Sequence, residues 1–420
     1  MYYKRYIEKQ IQELLDTTGA VVVAGPKFCG KTTTCKLFAN SEYSLSTKSK
    51  IELAQSNPEA ILIGNNPRLI DEWQHVPDLW NCARNEIDTR DNKFGQFIFT
   101  GSSTPADKEE IYHSGAGRIV TIMMRPMSLF ETKESTGQIS LTNLFKNENK
   151  ITFINTNHNI YDVAFYICRG GWPLSIVENR EKALKITDNY FNGLFEFENN
   201  KNEKFRNKKK AIFQMILRSY ARNISTEARK STIANDINKN DDRNLDLSTL
   251  DDYLVALNDL YILKDIDAWN PNFRSKTSVI TTPTRHFVDT SIAAKALNIS
   301  PQDLINDPET FGLFFEDFAV NELSIYAQNI NGEIKHYRDS NGLECDAVIH
   351  LKDGKYALVE IKLGGEKLIK DGINTLTNLQ NKIKKDGQNL PSFLMIVTAV
   401  GDAYTTKEGI HVVPINMLRD

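Results

Sequence analysis

Gly25, four intervening residues, then Gly30, Lys31 and Thr32 follow one another in the run Gly25-Pro26-Lys27-Phe28-Cys29-Gly30-Lys31-Thr32-Thr33. This is the spacing of a P-loop. The two glycines let the backbone curl so that its N–H groups point inward at phosphate oxygens. Lys31 offers a charge to the β- and γ-phosphates, and Thr32 a hydroxyl to Mg²⁺. Residues 25 to 33 are thus expected to bind a nucleotide. Asp71 and Glu72 close the apolar run Leu69-Ile70. Taken alone, an acidic pair after a strand marks its solvated end. Behind a P-loop, Asp71 is expected to hold Mg²⁺ and Glu72 to polarise the attacking water.

A further apolar run, Phe97-Ile98-Phe99, ends in Thr100-Gly101-Ser102-Ser103. Parallel sheets bind ligands at the carboxyl ends of their strands. Thr100 or Ser102 can sense the γ-phosphate or orient water there; a plain polar turn accounts for the stretch equally well. Arg118 and Arg125 come next. Either can neutralise transition-state charge, in cis or from a neighbouring subunit, and either alone also reads as a surface arginine.

A second constellation lies near the C-terminus. Helical spacing over 314–328 makes a stripe of Phe315, Phe318, Ala319, Leu323 and Tyr326, with Glu322 in its middle and Glu316 at its edge. A carboxylate facing a core is costly unless it is paired or bound to metal. Strands over 343–351 and 356–363 are joined by the turn Lys352-Asp353-Gly354-Lys355. Alternation places Asp346 opposite the apolar face of the first strand, and Glu360 and Lys362 opposite that of the second. Asp346, Glu360 and Lys362 can thus converge with Glu322 from the preceding helix.

Positioning these groups requires a strand at Val21–Val23 and a helix over residues 32–39, which turns its positive end to the anion. Residues 4–16 carry Ile7, Ile11, Leu14 and Leu15 at helical spacing. Residues 141–160 and 198–210 are rich in Asn and Lys and read as loops. The run 201–210 holds six basic residues against one acid; a phosphate contact and a solvated helix start both suit it. Helices are expected over 211–222, 232–238 and 249–260, the last capped by Ser248, followed by strands at 261–266 and 278–281. This is a winged-helix pattern. Its second helix carries Asp251, Asp252 and Asp259 without Lys or Arg, so it reads as a lid or interaction element and not as a base reader.

The order GPKFCGKTT, LIDEWQ, FIFTGSS, GAGR and RPMSLFE resembles a bacterial and archaeal family of AAA-type ATPases of the signal-transduction (STAND) branch of P-loop NTPases. The resemblance covers essentially the whole chain and implies ATP as ligand. Gly170-Gly171-Trp172-Pro173 resembles that family's GxP motif, which implies that Pro173 packs near the nucleotide. Lys27 stands where family members usually have arginine. The helix–strand–hairpin order around Asp346, Glu360 and Lys362 resembles the PD-(D/E)XK nucleases, although Cys345 replaces the usual proline before the aspartate. That resemblance implies that Glu322, Asp346 and Glu360 share Mg²⁺, with Lys362 beside the nucleophile.

The fold class expected is α/β: a P-loop NTPase parallel sheet over residues 1–165, a helical winged-helix connector over 166–300, and a restriction-endonuclease-like domain over 301–420. The net charge of −3 gives no global basic field. The five cysteines lack a CxxC pair and read as free thiols in a reducing cytoplasm. The charged start does not suit a signal peptide, and no apolar run approaches the ~20 residues of a membrane span. The expected function is an ATP-hydrolysing switch controlling a metal-dependent, DNA-acting domain. The alternative is a nucleotide-gated interaction protein whose nuclease fold is a binding platform. ATP and Mg²⁺ are the expected cofactors; DNA and further copies of the chain are the partners these readings admit.

Overall fold

The computed structural model describes residues 2–105, 115–148, 151–155, 158–195, 209–241, 245–271 and 281–420. The chain divides into two compact units. The first runs to Pro126 and includes Val255–Ile262; the second holds the other described residues from Met127 onward.

The first unit is built on five parallel strands: β1 (Ala20–Ala24), β2 (Ser41–Ser44), β3 (Arg68–Asp71), β4 (Phe97–Gly101) and β5 (Ile119–Met123). Their order is β2-β3-β4-β1-β5. Every residue of β1 is buried. That is why its sequence is a continuous apolar run: a parallel strand covered on both faces has no polar side to alternate with. Val22, Ile70, Phe97 and Phe99 pack with Trp73, Leu79, Ala83 and Ile87 in one core. Helix Ile7–Leu15 buries Ile7, Ile11 and Leu15, one turn apart, as its spacing predicts. The register sets Ala24 beside Gly101, and Asp71 beside Thr100. The chemistry-bearing ends of β1, β3 and β4 therefore emerge together. The P-loop helix is shorter than expected, Lys31–Cys35.

The second unit carries a seven-stranded sheet. Helix Pro308–Asn329 leads into the antiparallel strands β8 (Gly332–Arg338), β9 (Glu344–Leu351) and β10 (Tyr356–Lys362). Helix Glu366–Lys385 then crosses to β11 (Leu394–Thr398), which lies parallel to β10. The strands β12 (Ala403–Thr405) and β13 (His411–Pro414) extend the sheet. Leu358, Ile396 and Val412 meet Leu376, Leu379 and Ile383 of the crossing helix in its core.

Several local expectations are corrected. Residues 141–160, read as loop, follow the short strand β6 (Ile139–Ser140) and supply helix Leu141–Phe145 and β7 (Phe153–Ile154), which pairs with β12. Pairing with a distant strand overrides a weak local signal. The helix expected at 249–260 begins at Leu247. Its start is capped by Asp246, whose carboxylate accepts from Thr249 N at 2.8 Å, and not by Ser248. The strand expected at 261–266 is reduced to bridges of Leu263 with Phe287 and Ile266 with Thr284. Most of its expected partner, residues 278–280, lies outside the described residues, as does the basic run 201–208.

Candidate functional site

The P-loop is built by close approach. A Cβ on Gly25 would stand 2.2 Å from the Met124 carbonyl oxygen, so only glycine fits there. Gly30 takes a φ of 102°, in the region that favours glycine. Cys29 is buried, whereas Lys27, Phe28 and Thr33 face solvent. Lys31 is only 5% exposed. Its ammonium donates to the Gly25 carbonyl at 2.9 Å and the Pro26 carbonyl at 2.7 Å, so the charge lies over the loop itself. Arg5, also buried, donates to the Cys29 carbonyl at 2.8 Å and the Arg125 carbonyl at 2.7 Å.

Asp71 is a hub. Its Oδ1 accepts from Thr32 Oγ1 and from Thr100 Oγ1, each at 2.6 Å. Its Oδ2 accepts from Ser44 Oγ at 3.1 Å. Thr32 and Asp71, remote in sequence, thus meet directly. Thr100 accepts in turn from Glu72 N at 3.3 Å. Glu72 adopts a φ of 61°, a left-handed backbone that costs a non-glycine residue about 1 kcal/mol or more. Its carboxylate is tied through one oxygen: Oε2 accepts from Ser102 Oγ at 2.8 Å and from Gln74 Nε2 at 2.5 Å. Burial lowers the nearby His75 below the ordinary histidine range, with the Glu72 charge opposing.

Arg118 donates through Nε to Asp88 Oδ1 at 2.9 Å. Pro173 opens the short helix Pro173–Ile176 in the second unit, and the indole of Trp172 before it donates to Ser291 Oγ at 3.0 Å.

In the second unit Lys362 Nζ lies between two carboxylates, 2.9 Å from Asp346 Oδ2 and 2.8 Å from Glu360 Oε2. Asp346 Oδ2 also accepts from Ile361 N at 2.7 Å. Glu360 is buried, and its Oε1 has no hydrogen-bond partner among the described residues. Burial, with Asp346 adding to it, pushes Glu360 up to about 8. Burial alone would lower Lys362; the two carboxylates outweigh it and raise the ammonium. Glu316 keeps partial contact with solvent, yet the packing around its carboxyl, and then Asp346, push it well above the usual carboxylate range.

Glu322 is not brought into this group. It is buried, and its Oε2 accepts from Leu129 N at 2.9 Å and Tyr326 Oη at 2.7 Å. Burial raises it to about 8, and the charges that act on it are Glu131 and Glu134. The carboxylate that feels Asp346 and Glu360 is Glu316. Apolar spacing misleads here because helix Pro308–Asn329 is buried around most of its circumference. Among the described residues no three His, Cys, Asp or Glu side chains form a group able to hold a metal ion.

Sequence reasoning also passed over Arg5, Ser44 and Gln74. Ser44 ends β2 at the carboxyl edge of the sheet, the rule that had pointed to Thr100 and Ser102. Gln74 closes the run Leu69-Ile70-Asp71-Glu72-Trp73-Gln74. Arg5 carried no local signal.

Residues 17–133 match the model of an AAA domain. The match supports a P-loop ATPase, with binding and hydrolysis of ATP. Residues 160–303 match a domain of unknown function (DUF8612), and residues 311–418 another (DUF4143). Among solved structures the chain is similar to a Walker-type ATPase of Pyrococcus abyssi, at 16% identity over 70% of this chain and 96% of that one, with a TM-score of 0.44. No curated protein matches the chain. No described helix is long and apolar enough to cross a membrane.

Proposed function

We propose that the chain is a Mg²⁺-dependent ATPase whose nucleotide state controls its C-terminal region. The observation that supports the ATPase assignment is the hydrogen bond of Thr32, in the P-loop, to Asp71, with Thr100 linking Asp71 to the backbone of Glu72. A hydroxyl and a carboxylate converging from separate elements are hard oxygen donors suited to Mg²⁺. Bound there, Mg²⁺ would neutralise charge on the β- and γ-phosphates. Lys31 would leave the Gly25 and Pro26 carbonyls for the phosphates. Glu72 would accept a proton from water as the water oxygen bonds to the γ-phosphorus and the bond to the β,γ-bridging oxygen breaks, releasing ADP and phosphate. Ser102 would fix the Glu72 carboxylate, and Thr100 would act through Asp71. Arg118, from a neighbouring copy, would offset transition-state charge.

For the C-terminal region we read the order helix, three antiparallel strands, crossing helix and parallel strand as restriction-endonuclease-like and directed at DNA. Asp346, Glu360 and Lys362 stand together in support of that reading. As they stand they do not fit a divalent cation, because the Lys362 ammonium fills the space between the carboxylates. That observation favours a second reading, in which this fold is a nucleotide-gated binding platform. The test is ATP turnover of the whole chain beside Glu72→Gln, with DNA of several forms added. Turnover lost in the variant supports the ATPase assignment. DNA cut only with ATP supports the nuclease reading, and DNA left intact under every metal supports the platform.

A further inference from the structure

Gln74 sits where an ATPase needs a second polar group near its base. It belongs to the single turn Trp73–His75 that directly follows Glu72. It is 8% exposed, deep for an uncharged amide beside a carboxylate. Its Nε2 donates to Glu72 Oε2 at 2.5 Å and stands 3.4 Å from Ser102 Oγ. An ionised carboxylate only accepts, so the amide must present its nitrogen to Glu72. That fixes where the amide oxygen points. Gln74 Oε1 is buried and has no hydrogen-bond partner among the described residues. A Cβ added to Gly101, at the carboxyl end of β4, would stand 3.1 Å from it. The glycine between Thr100 and Ser102 thus leaves room for this oxygen.

A buried amide oxygen left without a partner carries the desolvation penalty of an unmade hydrogen bond. Such a cost persists at functional sites where a ligand or water later supplies the missing bond. Both side-chain partners of Glu72 use Oε2, and no hydrogen bond to Oε1 is present among the described residues. The geometry therefore has one oxygen of Glu72 anchored and one available, and the amide that anchors it carries the unpartnered oxygen.

We propose that Gln74 is a water-positioning residue of the ATPase reaction. Its Nε2 holds Glu72 in the orientation of a base, and its Oε1 accepts one hydrogen of the attacking water. The other hydrogen passes to Glu72, so the water's lone pair is turned to the γ-phosphorus. This inference rests on the ATPase assignment above and adds to it a second group that orients the nucleophile.

The test compares the whole wild-type chain with Gln74→Met, Glu72→Gln and the double variant. Met keeps the length of the side chain and removes both its donor and its acceptor. Affinity for a non-hydrolysable ATP analogue is expected to stay within about twofold, while kcat falls roughly 10²-fold. The double variant is expected to be no slower than Glu72→Gln alone, because the two groups act on one water. Thermal unfolding shows whether Gln74→Met is folded. If it is not, Gln74→Glu, of the same size, takes its place; its carboxylate repels Glu72, and kcat is expected to fall with nucleotide affinity kept. Wild-type kcat in the folded variant overturns the proposal, as does a loss confined to nucleotide affinity, which would make Gln74 a structural support of the loop. If Glu72→Gln is inactive and Gln74→Met is not, only this inference fails. A wild-type chain that hydrolyses no ATP overturns the ATPase assignment and this inference together.

Discussion

Arg5 donates to the carbonyl of Cys29 at 2.8 Å, so a residue ahead of the first helix holds the middle of the P-loop. The same guanidinium reaches the Arg125 carbonyl at 2.7 Å, just beyond β5. Two backbone segments far apart in sequence are thereby clamped on one planar group, a geometry that lysine cannot reproduce. Arg5→Met keeps the stem and removes both bonds. It is expected to destabilise the chain by roughly 3 kcal/mol or more, since two bonds from a charged donor are lost and each contributes about 1.5–3 kcal/mol. ATP affinity should fall with it. Denaturation and calorimetry on the same variant read both effects. Unchanged stability would show that the loop holds its shape without this clamp.

Lys31→Ala tests the loop charge. The ammonium already lies over the Gly25 and Pro26 carbonyls, within the loop that would receive phosphate. Losing it should weaken ATP binding at least 100-fold, about 2.7 kcal/mol. Glu72→Gln should bind ATP normally and turn it over roughly 10²-fold more slowly, because the amide can still accept from Ser102 but cannot take a proton. Calorimetry and phosphate release separate the two variants. Equal affinity in Lys31→Ala would move the nucleotide elsewhere.

The candidate nucleotide site was legible because its parts are local. Gly25, Gly30, Lys31 and Thr32 lie in one short run, and Asp71 and Glu72 are adjacent, so spacing alone carries the chemistry. The parallel sheet was legible for the same reason, through the apolar runs of β1 and β4. What escaped is what tertiary packing decides. Ser44 and Thr32 reach Asp71 only because β2 and β1 flank β3 and β4 in the sheet. Glu316 and Glu322 lie on one helix, and periodicity favoured Glu322 because it sits among apolar neighbours. In a helix buried on most sides that position says nothing about which face meets β9 and β10. Gln74 lay in full view in the run after Glu72, but a glutamine carries no signal until its partners are known.

Arg118 is expected to act across a boundary between copies. It is paired with Asp88 at 2.9 Å yet its side chain remains 37% exposed. A partly exposed pair of this kind is weak, so releasing Arg118 to a phosphate costs little. Arg118→Ala and Lys31→Ala should each be inactive, and mixing them should restore turnover by uniting one intact loop with one intact arginine. If no mixing ratio restores activity, Arg118 serves only its own Asp88.

Lys362→Met should open the C-terminal cluster to cations. The ammonium now sits between Asp346 and Glu360, and Glu316 feels both. Removing it leaves carboxylates that repel one another. Without nucleotide, the variant should be less stable than the wild type and should regain stability with Mg²⁺ or Mn²⁺, by about 2.7 kcal/mol at a hundredfold excess over the dissociation constant. Asp346→Asn added to it should remove most of the gain. Thermal unfolding of the whole chain with titrated metal reads this. A variant indifferent to metal would leave the carboxylates as a structural ion cluster.

Glu322 supplies the pH test. Burial, the first cause, raises it to about 8, and Glu131 and Glu134 add to that, while the bonds from Tyr326 Oη and Leu129 N oppose it. An unfolded glutamate titrates at about 4.3. The folded state therefore binds the extra proton between these two values. Its stabilising effect is full below the unfolded pKa and is lost as pH rises through about 8. Glutamine can accept from Leu129 N and Tyr326 Oη just as the carboxyl does, without a charge to desolvate. Glu322→Gln should match the wild type at pH near 5 and exceed it by about 1 kcal/mol or more at pH near 9, since a tenfold change in proton affinity corresponds to ~1.4 kcal/mol. Urea unfolding at both pH values measures the difference. A variant that follows the wild type at both would mean that Glu322 does not gain a proton on folding, and that its two hydrogen bonds suffice to keep it ionised.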